Sequence, residues 1–146
     1  MIITSGRAVR RALGAGRTLA VALGVLAVGG CGAAGPREDD AVSAARAFQN
    51  ELAAARYGRA CALLAPQTRQ EVAADEECGR ALAKERLPAA AGEAPEAAAQ
   101  VYGRQAMVRL GGDTLFLSQF GRGWKVIAAG CAPRPGRPYD CKVKGA

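Results

Sequence analysis

Five cysteines and no histidine set the chemistry that this chain can attempt. Without an imidazole, the Ser-His and Cys-His nucleophile pairs, the commonest general base near neutral pH and the commonest metal ligand are all missing. The thiols are Cys31, Cys61, Cys78, Cys131 and Cys141. None of these spacings is the C-x₂₋₄-C of structural zinc sites, so no metal and no cofactor are expected. What remains is covalent chemistry at sulfur: modification of one thiol and oxidation of the others in pairs. An odd count in an oxidising compartment demands such a division. The acidic run Asp75-Glu76-Glu77 reads as a solvated helix turn, because consecutive residues do not share a helix face. No catalytic set is expected.

The first thirty residues have the layout of an export signal. Basic residues end at Arg17 and the apolar stretch Thr18 to Gly30 follows, short of the ~20 residues a membrane-spanning helix needs. Arg10-Arg11 ahead of Ala12-Leu13 is similar to a twin-arginine signal, which leaves the export route open. The segment also carries Arg7, so with Arg17 it takes four of the twenty bases and none of the thirteen acids. The rest of the chain is then near +3 rather than +7, with its arginines scattered among acids. That pattern argues against nucleic-acid binding, which wants a basic stripe with stacking aromatics.

Val28-Gly29-Gly30-Cys31 resembles the lipobox of bacterial lipoproteins. The resemblance implies cleavage between Gly30 and Cys31, diacylglycerol on the Cys31 thiol, and attachment to the extracytoplasmic face of a membrane. Two acyl chains, at about 0.8 kcal/mol per buried CH₂, give a stable anchor. An ordinary secretory signal is the alternative, and would leave Cys31 a plain thiol. Lipidation of Cys31 leaves four cysteines, which in an exported protein read as two disulfides with three possible connectivities. Chain order favours Cys61 with Cys78 in the helical half and Cys131 with Cys141 around a proline-rich loop.

Three regions are therefore expected: a signal over 1–30, a flexible tether over 31–40 and one domain over 41–146. Asp39 or Asp40 is placed to cap a helix from Ala41 to Tyr57, whose Ala41, Ala45, Phe48, Leu52 and Ala55 recur at helical spacing. A short helix from Arg59 to Leu64 stops before Pro66. Thr68 with Glu71 has the form of a capping box for a third helix, with a break near Asp75 before Cys78, Leu82 and Leu87.

After a loop from Pro88 to Glu96 the pattern changes. Ala98 to Gly103, Arg104 to Leu110, Thr114 to Phe120 and Trp124 to Ala129 are apolar, partly alternating and separated by glycine turns. They predict an antiparallel meander, with Ala106, Val108 and Leu110 on one face and Gln105, Met107 and Arg109 on the other. Residues 132–140 hold too many prolines for a central strand and are expected to be a loop, with a short last strand from Lys142 to Lys144.

Helices followed by a curved antiparallel sheet make an α+β order. With Leu63-Leu64-Ala65-Pro66 and Gly123-Trp124-Lys125-Val126, the stretch Ala41 to Lys144 resembles the nuclear-transport-factor-2-like cone found in small bacterial lipoproteins. That superfamily spans isomerases and cyclases, ligand binders and scaffolds. A ketosteroid-isomerase-like site wants a buried Asp base and a Tyr donor. Asp113 falls in a turn signal and Asp140 in a loop, while Tyr57 and Tyr102 serve as well for packing. Trp124, Phe48, Phe116 and Phe120 are expected at the junction of helices and sheet, where core packing is favoured over a ligand pocket, and Phe48, Tyr102, Phe116 and Trp124 are the candidates for lining a cone cavity. Tyr139 near Arg134 and Arg137 makes a possible contact patch. The expected function is a lipid-anchored, non-catalytic envelope module that binds an envelope protein or has a structural role. The alternative is a binder of a small apolar ligand in the cone cavity.

Overall fold

The computed structural model describes residues 34–90 and 96–145. Four helices come first: α1 (Ala34–Ala53), α2 (Tyr57–Leu63), α3 (Pro66–Val72) and α4 (Cys78–Lys84). Five strands follow, β1 (Ala98–Tyr102), β2 (Gln105–Leu110), β3 (Asp113–Phe120), β4 (Gly123–Arg134) and β5 (Arg137–Lys144). They form one antiparallel sheet in chain order, so the fold is α+β with a meander.

Helix α1 supplies the seam between the layers. Ala41, Ala45 and Phe48 are fully buried and Leu52 nearly so, recurring at three and four as one helical face must. They meet Val108, Leu110, Leu115, Leu117, Trp124 and Val126 from the sheet. In β2 the alternation places Ala106, Val108 and Leu110 inside, with Gln105 and Arg109 exposed and Met107 between.

Several boundaries depart from expectation. The segment expected as tether is helical from Ala34 onward, and Asp39 and Asp40 lie inside α1 rather than capping it. Pro36 is tolerated because it occupies the first turn, where backbone N–H groups have no intrahelical partner. Tertiary contact does the rest: the Arg37 guanidinium bonds Gly103 O and Gln119 Oε1 and lies over the Trp124 ring.

The far end of α1 also comes early. Ala55 is left-handed at φ 54, Arg56 N–H reaches Glu51 O at 2.8 Å and Ala55 N–H reaches Leu52 O at 3.0 Å. This is a Schellman stop, made with alanine where glycine is usual, and reinforced by the Arg56–Glu51 ion pair. Tyr57 consequently opens α2.

The capping box is also displaced. Ala65 is the N-cap of α3 with Pro66 in the first turn, and Thr68 sits buried within the helix, donating to Ile127 O at 3.1 Å. Thr68 is therefore a docking residue: with Ala65 N–H on Val126 O at 2.8 Å, it pins α3 to the stretch of β4 that β5 does not reach.

The proline-rich stretch 132–140 is largely strand. Beyond Ala128, β4 pairs with β5 alone, and β5 is an edge, so prolines lacking an N–H can face away from the ladder. Pro135-Gly136 turns the hairpin, with Gly136 at φ 64 in the position that requires it. Cys131 and Cys141 lie opposite each other in this ladder and are bridged, while Cys61 is bridged to Cys78 across α2 and α4.

Two measurements check this account of the fold. Ala55→Gly relieves the left-handed alanine and is expected to raise unfolding stability by about 0.5–1 kcal/mol in urea titration. Cys131→Ser with Cys141→Ser is expected to lower it by about 2–4 kcal/mol, the range for a short disulfide loop.

Candidate functional site

The four aromatics expected around one cavity are divided between environments. Phe48 and Trp124 are buried in the seam beneath α1, and the Trp124 indole N–H has no hydrogen-bond partner among the described residues. Phe116 lies on the opposite face, half-buried, with Tyr139 edge-on at 5.2 Å. Tyr102 is at the sheet's end and 68% exposed, and Phe120, expected at the junction of helices and sheet, is instead exposed on the face that carries Phe116. Alternation explains the split: Phe116 lies between Leu115 and Leu117, both fully buried, and must point the other way. Gly30 and Cys31, the expected cleavage and lipidation residues, lie outside the described residues.

A cavity of about 520 Å³ does exist, on the face of the sheet that α1 leaves free. Phe116, Ser118 and Phe120 of β3 and Ile127 and Ala128 of β4 form its floor, and Pro66 to Thr68 of α3 form one wall. A register shift between Phe116 and Leu117 leaves Ile127 without a cross-strand partner, and both Ile127 and Ala128 then line the cavity. The lining is mainly apolar side chain, with the Gln67, Gln105 and Ser118 polar groups and the Lys144 ammonium at its margin. It contains no carboxylate.

The buried carboxylate lies elsewhere. Asp113, 3% exposed, accepts from Gly130 N at 3.2 Å, Cys131 N at 3.2 Å and Gln49 Nε2 at 3.1 Å. Gln49 is itself buried on α1, and its Oε1 accepts from Ala90 N at 3.0 Å. One polar knot thus joins α1, the loop after α4, the start of β3 and the left-handed Gly130 of β4. Burial pushes the Asp113 pKa up from 3.8, and its hydrogen bonds to Gly130, Cys131, Thr114 and Gln49 only partly offset this. Close packing beside the knot demands glycine: a Cβ on Gly111 would stand 2.3 Å from Ala90 Cβ.

Asp113 was expected in a turn and in no site. The signal that locates it is period two: counting back from Leu117 and Leu115 puts residue 113 on the buried face. Both carboxylate oxygens are occupied with backbone and amide donors, an arrangement that fixes structure, and Asp113 is not among the residues lining the cavity.

The acidic run 75–77, expected as a helix turn, lies in the bend between α3 and α4, and its members are divided similarly. Glu77 caps α4, accepting from Gly79 N at 2.8 Å and Arg80 N at 3.0 Å, and these bonds hold its carboxyl below the ordinary range. Glu76 pairs with Lys84. Among the described residues no three His, Cys, Asp or Glu side chains converge as a metal site would require.

No protein-family model matches the chain, and comparisons with curated proteins and with solved structures returned no match.

The Asp113 knot has a pH signature. A raised carboxyl pKa means that the folded state holds the proton more tightly, so this group's contribution to stability is fully present below 3.8 and is lost as pH rises through the raised value. Asp113→Asn is expected to remove that decline from the stability–pH curve. It also turns one acceptor into a donor against Gly130 or Cys131 N–H, at a cost of about 1–3 kcal/mol at acid pH. A variant curve parallel to the wild type above pH 4 would refute the assignment.

Proposed function

We propose that the chain is an exported lipoprotein, cleaved ahead of Cys31, held by diacylglycerol on that thiol at the extracytoplasmic face of a membrane, and acting there without catalysis as a binding or structural module for an envelope protein. The observation that carries the last step is the filled seam. Phe48, Leu115, Leu117, Trp124 and Val126 occupy the space between α1 and the sheet where a cone enzyme of the nuclear-transport-factor-2-like kind would keep its reacting groups. The resemblance to that family stays part of the proposal. Four helices ahead of a five-stranded antiparallel sheet are compatible with it.

Two disulfides accord with export to an oxidising compartment. The lipobox-like Val28-Gly29-Gly30-Cys31 supplies the anchor. The binding surface belongs to the free face of the sheet, where Phe116 and Tyr139 pair beside the cavity.

A second reading has an observation of its own. The cavity, about 520 Å³ with Phe116, Phe120 and Ile127 in its lining, is of a size that takes a small apolar ligand. Under that reading a stoichiometric apolar molecule is released when the protein purified from membranes is denatured and extracted, and Phe116→Arg abolishes its recovery.

Replacing Cys31 with Ala tests the anchor. The variant is expected to leave the membrane fraction, and to lack the acyl mass found on the wild type. Retention on the membrane with an unchanged mature mass would refute lipidation.

A further inference from the structure

Because α1 begins at Ala34, only residues 32 and 33 separate it from Cys31. Three residue steps span about 10 Å at most. A lipid on Cys31 therefore places the start of α1 within about that distance of the bilayer surface. What sits beside the start of α1 is fixed by Arg37. Its guanidinium donates to Gly103 O in the β1–β2 turn and to Gln119 Oε1 at 3.1 Å, and stands 5.8 Å from the Trp124 ring centroid.

In a meander the first and third turns share one end of the sheet, so the β3–β4 turn lies there too. Arg104 locks the two turns together, donating to Gln119 O through Nη2 at 2.6 Å and Nε at 3.1 Å.

This end is set apart from the rest of the described surface by its aromatic side chains. Tyr102 at 68% and Phe120 at 38% are the exposed large apolar side chains among the described residues, and each immediately precedes one of these two turns. Arg104 and Arg122 are exposed within the turns, with Lys125 half-buried just beyond. The strands and turns from Ala98 to Lys144 contain eight Lys and Arg against Asp113 and Asp140 alone, and Asp113 is buried. The nearest acids along α1, Glu38 to Asp40, come after Arg37 and so farther along the chain from Cys31.

We propose that this end of the sheet is a membrane-contact surface. Tyr102 and Phe120 seat in the headgroup layer of the bilayer that holds Cys31, and Arg122 pairs with phosphates of anionic phospholipid, with Arg104, held on Gln119 O, and Lys125, which donates to Ala62 O at 2.9 Å, adding their positive charge beside it. The inference rests on the lipid at Cys31. Tyr102, apolar in body and polar at the tip, suits the interface, Phe120 adds an apolar ring that can be buried there, and basic side chains gain from the negative surface potential. An acidic protein offers the same charge complement, but the bilayer is the surface that a lipid on Cys31 brings to within about 10 Å of α1.

The test uses the chain from residue 31 onward with Cys31→Ser, which retains the whole described core and both disulfides and needs no acyl group. Co-sedimentation is measured with vesicles of phosphatidylglycerol and phosphatidylcholine, and with phosphatidylcholine alone. Preference for the anionic vesicles, falling with salt, is expected. Arg122→Glu with Lys125→Glu should weaken it by on the order of tenfold or more, and Tyr102→Ser with Phe120→Ser should weaken it as well. Arg59→Glu with Arg80→Glu, the same change of net charge on exposed helix positions, should leave it within about twofold.

Equal binding to both vesicle types, or equal loss in the helix variant, overturns the proposal. Binding to neither does so too. The anchor fails separately: vesicle preference in a chain whose Cys31 is unlipidated in cells supports the contact surface while refuting the anchor, and lipid on Cys31 without vesicle preference does the reverse.

Discussion

The architecture depends on burying one face of α1 against the sheet. Phe48 and Leu52 each gain roughly 1.5–3 kcal/mol from burial, and Ala41 and Ala45 keep that part of the seam narrow by being small. With helices shorter than two full turns in α2, α3 and α4, little helical stability is intrinsic. These pieces hold their shape because each is tied to something else: α2 to α4 by Cys61–Cys78, α3 to β4 by Ala65 and Thr68, and α4 by its own Glu77 cap.

The sheet meets the same demand with irregularity. Register shifts in the β3–β4 and β4–β5 ladders interrupt regular pairing, and buried backbone donors cannot be left unmatched. Asp113 accepts from two N–H groups around the left-handed Gly130, and Gln49 carries the connection back to α1. A buried carboxylate with a raised pKa invites a catalytic reading. Its hydrogen bonds argue for a structural one, because every partner is a group that the fold itself had to satisfy. The two faces of the sheet then differ in kind. One is buried under α1; the other is open and carries the cavity beside Phe116.

The α+β order, the buried face of α1, the β2 alternation and the four strand cores were legible in residue spacing. Local chemistry alone decides these. Boundaries set by distant contacts were not legible. Nothing near Ala34 announces that Arg37 will bond Gly103 and Gln119, and nothing near Ala55 announces a left-handed alanine. Prolines at 133, 135 and 138 argued for a loop because the edge position of β5, which excuses them, is a property of the sheet. Thr68 matched a capping box that Pro66 pre-empted. Of the expected cavity residues, Phe48 and Trp124 share the buried core, while Tyr102 is exposed at the sheet's end and Phe116 lines the cavity on the opposite face. Identity as an aromatic does not specify a face; parity along the strand does.

The early start of α1 changes the meaning of the anchor. A long tether would let the domain range freely, whereas under the proposed lipidation the two residues between Cys31 and Ala34 would hold the start of α1 close to the membrane. The whole reading therefore turns on the chemical state of one atom, the Cys31 sulfur. Mass spectrometry of the N-terminal peptide from protein extracted out of membranes examines it directly. The account predicts a chain that begins at Cys31 and bears a diacylglyceryl thioether. A free or disulfide-bonded Cys31 thiol, or a mature terminus elsewhere in the first forty residues, would contradict it.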